Sequence, residues 1–154
     1  FWGWAVRRLI LEPGLLDAVR AAPGALRSLV DELLRLSPSN NIGVVRVAER
    51  DTVVAGTTLA AGALVLGSLV AANRDPRRFH DADDVNADHR SHLAFGAGRH
   101  RCVGQFLARV ETEALISELF LGERGAPELI DAREDDLIND SATYGLRALE
   151  VALR

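Results

Sequence analysis

Residues 95–104 read Phe95-Gly96-Ala97-Gly98-Arg99-His100-Arg101-Cys102-Val103-Gly104, and the only cysteine of the chain stands in this run. Gly96 and Gly98 allow φ > 0, so the backbone can turn tightly and approach a flat ligand closely. A helix is predicted from Gly104 to Leu121, with Val103, Leu107, Val110 and Ala114 sharing one face. The thiol is therefore delivered to the amino end of a helix. Free N–H groups and partial positive charge there favour thiolate over thiol, and the thiolate is the form that binds metal. Arg99, Arg101 and protonated His100 push the same way. The residue types alone leave several readings open. One is a buried structural Cys. Another is a zinc site built from His100 and Cys102 with His89 or His92, although zinc usually takes four ligands. A phosphate loop is the weakest, because no Gly-Lys-Ser/Thr follows the glycines.

Upstream, Asp75 to Ala97 is irregular, and a loop of that length is usually functional. Before it come short β-branched runs, Val44 to Val47 and Thr52 to Val54, then Leu64 to Leu66. Ala55-Gly56 and Ala61-Gly62 read as turns, and a short helix is expected around Ser68 to Asn73. Three helices come first. Trp2, Ala5, Val6, Leu9 and Ile10 share a face, and Pro13 opens a second helix carrying Leu15, Leu16 and Val19. The third runs from Ala25 to Leu36 with an apolar stripe of Leu26, Leu29, Val30, Leu33 and Leu34, and Pro38 follows it. Downstream, an acidic stretch (Glu128 to Asp140) precedes a strand pair expected over Tyr144 to Leu153. This order predicts a mostly α fold with small β-sheets, an α+β arrangement.

Composition narrows the function. The chain has 154 residues, 48% hydrophobic and 26% charged, as a folded globular chain does. Its net charge is −4 and no basic block occurs, which argues against nucleic acid. A single Cys excludes an internal disulfide scaffold and permits a reducing compartment, so a cytoplasmic location is expected. The weakly polar run Leu59 to Ala72 is too short to span a bilayer, so no membrane association is expected. The chain contains no Met and begins at Phe1, so a longer parent polypeptide is expected.

Phe95 to Gly104, preceded by His92-Leu93-Ala94, resembles the F-G-x-G-x-H-x-C-x-G haem-binding loop of bacterial members of the cytochrome P-450 superfamily. Glu32-Leu33-Leu34-Arg35 resembles the family's E-x-x-R, and Ala72-Asn73-Arg74-Asp75-Pro76 with Phe79 resembles its A-N-R-D-P-x-x-F. Leu107-Ala108-Arg109 is similar to the L-A-R of its L helix, and Gly145-Leu146-Arg147 with Leu149 and Val151 to its terminal strands. The resemblance implies that residues 1–154 are the C-terminal part of this fold: the end of the I helix, then J, K, a small sheet, the meander, the Cys loop, the L helix and the terminal strands. The family's A-G-x-x-T oxygen-activating segment would precede Phe1.

The resemblance also implies roles. Cys102 would be the axial thiolate on haem b, pushing electron density toward O–O cleavage. His100 would bond one haem propionate and Arg46 the other. Phe95 would shield the thiolate, and Gly96, Gly104 and Ala108 would lie against the porphyrin face. Glu32 and Arg35 would be a structural ion pair, with Arg90 its third member. Without the resemblance, Glu32 and Arg35 share the face opposite the leucine stripe and read as a solvated pair worth about 0–1 kcal/mol. Arg46 reads as the exposed side of a strand.

The implied activity is a haem-thiolate monooxygenase that oxidises a small organic substrate with O₂. Its electrons would come from NAD(P)H through a ferredoxin-type or flavoprotein donor on the Cys102 side, facing Arg99, Arg101 and Arg109. Two alternatives stand beside it: a non-catalytic remnant or interaction module on the same scaffold, and a zinc or redox-thiol protein.

Overall fold

The computed structural model describes residues 1–22, 24–37, 39, 43–85, 91–123, 125–131, 137–138, 145–146 and 148–153. Pro38, His89, Arg90, Tyr144 and Arg147, all named above, lie outside the described residues.

The apolar stripe at the start of the chain forms α1 (Trp2–Leu11), which buries Ala5, Val6 and Leu9 on successive turns. Pro13 opens a 3₁₀ turn (Pro13–Leu16), where its missing N–H costs no hydrogen bond, and the turn runs directly into α2 (Asp17–Ala21). Leu16 and Val19 point inward from this pair. α3 (Ala25–Leu36) spans the predicted residues. It buries Leu29, Val30, Leu33 and Leu34, and with them Glu32 and Arg35 from the opposite face. The solvated pair expected from residue spacing alone is therefore corrected: both partners are covered.

Among the described residues the strands form four separate two-stranded antiparallel sheets. β1 (Val44–Val47) pairs with β4 (Leu64–Gly67), bringing Arg46 opposite Val65. β2 (Thr52–Val54) and β3 (Thr57–Leu59) make a hairpin around Ala55 (φ 48°) and Gly56 (φ 81°), the two left-handed positions that a tight hairpin turn requires. β5 (Glu128–Asp131) pairs with β8 (Glu150–Ala152), and β6 (Leu137–Ile138) with β7 (Gly145–Leu146). The strand pair expected at the end of the chain is thus corrected. β7 and β8 do not pair with each other; each takes a strand from the acidic stretch. Glu128 and Ile130 stay exposed while Leu129 and Asp131 turn inward, so an acidic segment with alternating exposure serves as a strand.

Gly43 leads into β1 with φ +87°, and a Cβ built on it would lie 2.0 Å from the Gly67 carbonyl oxygen. Gly43→Ala is expected to destabilise the protein by about 1–3 kcal/mol, through left-handed strain and forced separation of β1 from β4. A thermal melt indistinguishable from wild type would contradict this.

Ser68 caps α4 (Leu69–Ala72), its hydroxyl accepting from the Ala71 N–H at 3.2 Å. Residues 73–85, which follow, are built from turns and bends. α5 (Gln105–Ile116) continues as a π-helical turn (Ser117–Leu121). Its inward face carries Arg109, Thr112 and Ile116, with Phe120 on the π turn, and it packs on α3. The apolar face read from the sequence points the other way: Val103 is 96% exposed, and Phe106, Leu107 and Val110 are also exposed. Amphipathic spacing identifies a face but not which side of the helix the fold covers. Among the described residues, no helix is long and apolar enough to cross a membrane.

Candidate functional site

Arg35 organises the ground beneath the cysteine loop. Its Nε donates to Glu32 Oε1 at 3.0 Å and its Nη2 to Glu32 Oε2 at 2.9 Å, a bidentate pair within one helix turn. Nη1 donates to the carbonyls of Asn73 (2.8 Å) and Ala82 (2.6 Å), and Nη2 to that of Asp84 (2.9 Å). All five guanidinium N–H groups are therefore partnered, and the Phe79 ring lies 5.0 Å from the guanidinium carbon. This buried cation ties the backbone at Asn73, Ala82 and Asp84 to α3.

Asn73 carries the network onward. It is fully buried, and its Oδ1 accepts the Leu93 N–H at 2.7 Å. The Leu93 carbonyl accepts from the Gly96 N–H (2.9 Å), and the Phe95 carbonyl from the Cys102 N–H (2.9 Å). Hydrogen bonds thus run from Glu32 and Arg35 to the cysteine amide. Gly96 (φ +69°) and Gly98 (φ +71°) turn the loop, and a Cβ at either would meet nothing within 4 Å. Their backbone conformation, not crowding within the chain, is what favours glycine there.

Cys102 is a free, exposed thiol just ahead of Gly104, the residue before α5. A Cβ on Gly104 would stand 3.8 Å from the Cys102 sulfur. The structural, buried Cys is therefore corrected. Ala108 is half-buried one turn along α5, and its carbonyl accepts the Thr112 hydroxyl at 2.6 Å. That hydroxyl accepts in turn from Trp2 Nε1 at 3.1 Å, tying α1 to α5. His100 ends a 3₁₀ turn (Gly98–His100) and is exposed, as are Arg99 and Arg101. Arg46 is exposed on β1 and donates to its neighbour's carbonyl, Val45 O, at 2.8 Å. Its strand neighbours Val45 and Val47 are exposed as well, so β1 has no simple inside and outside.

Arg109 is not part of the expected surface patch, which is corrected here. Its side chain is 11% exposed, and its Nε donates to Asp31 Oδ1 at 2.6 Å. Its guanidinium carbon stands 4.9 Å from the centre of the Phe95 ring. His92 is buried on the other side of this group, its ring centre 5.9 Å from that of Phe95. Its Nδ1 accepts the Ala94 N–H (3.1 Å), which leaves Nε2–H to face Asp31 Oδ1 at 3.4 Å. Burial alone would raise the Asp31 carboxyl, but the hydrogen bonds from His92 and Arg109 and the Arg109 charge outweigh it and hold it below its ordinary value. A group depressed on folding stabilises the fold above its unfolded pKa, and that contribution is lost as pH falls through the folded value. Asp31→Asn is accordingly expected to flatten the acid limb of the stability profile below the ordinary carboxylate range; acid titration followed by near-UV circular dichroism measures it.

Asp31 and Asn73 were not singled out by the sequence. Asn73 sits in the quoted A-N-R-D-P stretch, but nothing local marks Asp31, whose partners lie 61 and 78 residues away. Among the described residues no group of three or more His, Cys, Asp and Glu side chains is gathered as a metal would need, and His92 is engaged with Asp31. An exposed thiol beside an exposed apolar helix face, with glycines rather than side chains around it, fits a flat apolar group carrying its own metal.

A family model for cytochrome P-450 matches residues 25–121. Cytochrome P-450-SU2 of Streptomyces griseolus is 39% identical over 149 residues, which are 94% of this chain and 36% of that protein. Biflaviolin synthase of Streptomyces coelicolor is 44% identical over 114 residues, 72% of this chain and 28% of that protein. The crystal structure of cytochrome P-450 MoxA from Nonomuraea recticatena superposes with a TM-score of 0.89 at 35% identity, covering 99% of this chain and 38% of that one. The chain therefore spans well under half the length of these relatives.

Proposed function

Because this chain belongs to the cytochrome P-450 family, and to its bacterial type, we propose that residues 1–154 are the C-terminal, haem-binding part of a haem-thiolate monooxygenase. The observation that carries this reading is the exposed Cys102 thiol at the foot of α5, bordered by Val103, Phe106 and Leu107 and backed by the Glu32–Arg35 network. When bound, haem supplies the one-electron and O₂ chemistry. The chain supplies the ligand and the setting. Cys102 would hold the iron as thiolate, and Phe95 would pack beside the sulfur once haem is bound. Gly96, Gly104 and Ala108 leave room for the porphyrin face. His100 and Arg46, both exposed cationic or proton-donating groups, take the propionates. Glu32 and Arg35 hold the carbonyls of Asn73, Ala82 and Asp84 against α3 so that the cysteine keeps its position; Arg90, the expected third member, lies outside the described residues.

In this reading a small organic substrate is oxidised with O₂, in the cytoplasm. Electrons originate from NAD(P)H and arrive from a ferredoxin-type or flavoprotein donor docked near Arg99 and Arg101. Reconstitution with haem, reduction and addition of CO tests it: a thiolate-type Soret band is expected, and its absence from haem-loaded protein would overturn the assignment. The uncovered apolar face of α5 favours a second reading, a non-catalytic interaction module on the same scaffold. That reading predicts poor haem retention and aggregation of the chain alone, which absorbance and light scattering together measure.

A further inference from the structure

We propose that Arg109, held by Asp31 against the ring of Phe95, is a positioning residue whose buried charge tempers how strongly Cys102 donates electrons. The inference rests on the haem-thiolate reading above. Asp31 lies on α3, Phe95 and His92 in the cysteine loop, and Arg109 on α5, so three segments converge on one ionic group behind the thiol. A surface staple would leave both charges in water. Here the Asp31 and Arg109 side chains are 18% and 11% exposed and bonded at 2.6 Å. A cation in such surroundings is screened far less than one in solvent, so its field reaches neighbouring groups.

The geometry directs that field at the cysteine loop. The guanidinium stacks on Phe95, whose carbonyl accepts the Cys102 N–H. Arg109 also donates to the carbonyl of Gln105 (3.3 Å), and the Gln105 N–H donates to the Cys102 carbonyl (3.4 Å). Arg109 is thus connected to Cys102 from both sides of the loop. Positive charge there stabilises negative charge on sulfur, weakens its donation and favours the reduced state of the site. Asp31 is ionised and opposes this, while fixing where the cation sits.

A purely structural staple and an electrostatic control predict different results. Loosening a staple from either end perturbs the site in one direction. Removing opposite charges shifts the reduction potential in opposite directions. The experiment is equilibrium spectroelectrochemistry on the haem-loaded protein, with the C–O stretching frequency of the ferrous carbonyl adduct as a second readout. Arg109→Met is expected to lower both potential and frequency, Asp31→Asn to raise both, and Arg109→Lys to stay near wild type. Shifts of the same sign, or none, would overturn the inference. If Arg109→Met does not fold, Asp31→Asn is compared with Asp31→Glu: a raised potential in Asn alone supports it, equal potentials refute it. Wild-type protein lacking a thiolate-type CO band would instead defeat the haem reading, so the two failures are separable.

Discussion

Arg35→Leu is expected to destabilise the protein by at least about 3–5 kcal/mol, a large part of the roughly 5–15 kcal/mol that holds a typical domain together. The substitution removes a fully buried cation and, with it, both guanidinium hydrogen bonds to Glu32, which is 2% exposed. It also strips hydrogen bonds from the carbonyls of Asn73, Ala82 and Asp84. Each buried acceptor left without a donor carries its own cost of about 1–3 kcal/mol. Leucine fills part of the space but satisfies none of these groups. Arg35→Lys is expected to rescue little, because one ammonium cannot reproduce a planar fork with five donors. For a chain of this size the change corresponds to a fall in Tm of at least about 6 °C. A melt lowered by only a degree or two would mean that the loop after α4 is held by something else.

Cys102→Ser is expected to have the opposite profile: a large functional effect with almost none on stability. The side chain is exposed, so its replacement should change folding free energy by no more than about 0.5 kcal/mol. A serine hydroxyl does not ionise near neutrality, so the thiolate ligand disappears. The thiolate-type band of the CO adduct should be lost while the circular dichroism melt overlays wild type. Retention of that band in Cys102→Ser would show that the iron ligand lies elsewhere. The contrast with Arg35 is the informative part: one residue builds the platform and the other stands on it.

Much of the secondary structure was legible because it is set by neighbours in the chain. The span of α3 follows from its leucine spacing and its stop signals, and the limits of β1 and β2 match their β-branched runs. The turn at Ala55-Gly56 lies where it was expected, while its second arm, β3, was not read from the sequence. The pairing of β7 and β8 was not legible. Two short strands near each other in sequence look like a hairpin, and nothing local says that earlier acidic segments will pair with them.

The site divides the same way. The order of glycines, His100, Cys102 and the following helix determined by itself that a thiol stands at a helix start beside flexible backbone. Only the tertiary structure decided that Glu32 and Arg35 are buried rather than solvated, because the covering carbonyls come from 38 to 49 residues away. Only it decided that Arg109 faces Asp31 and Phe95 instead of a docking partner, and that the apolar side of α5 is the uncovered one. Side-chain spacing along a helix fixes which residues are neighbours. Whether a charge sits in water or in the interior depends on which distant backbone and side-chain groups arrive to replace its lost hydration.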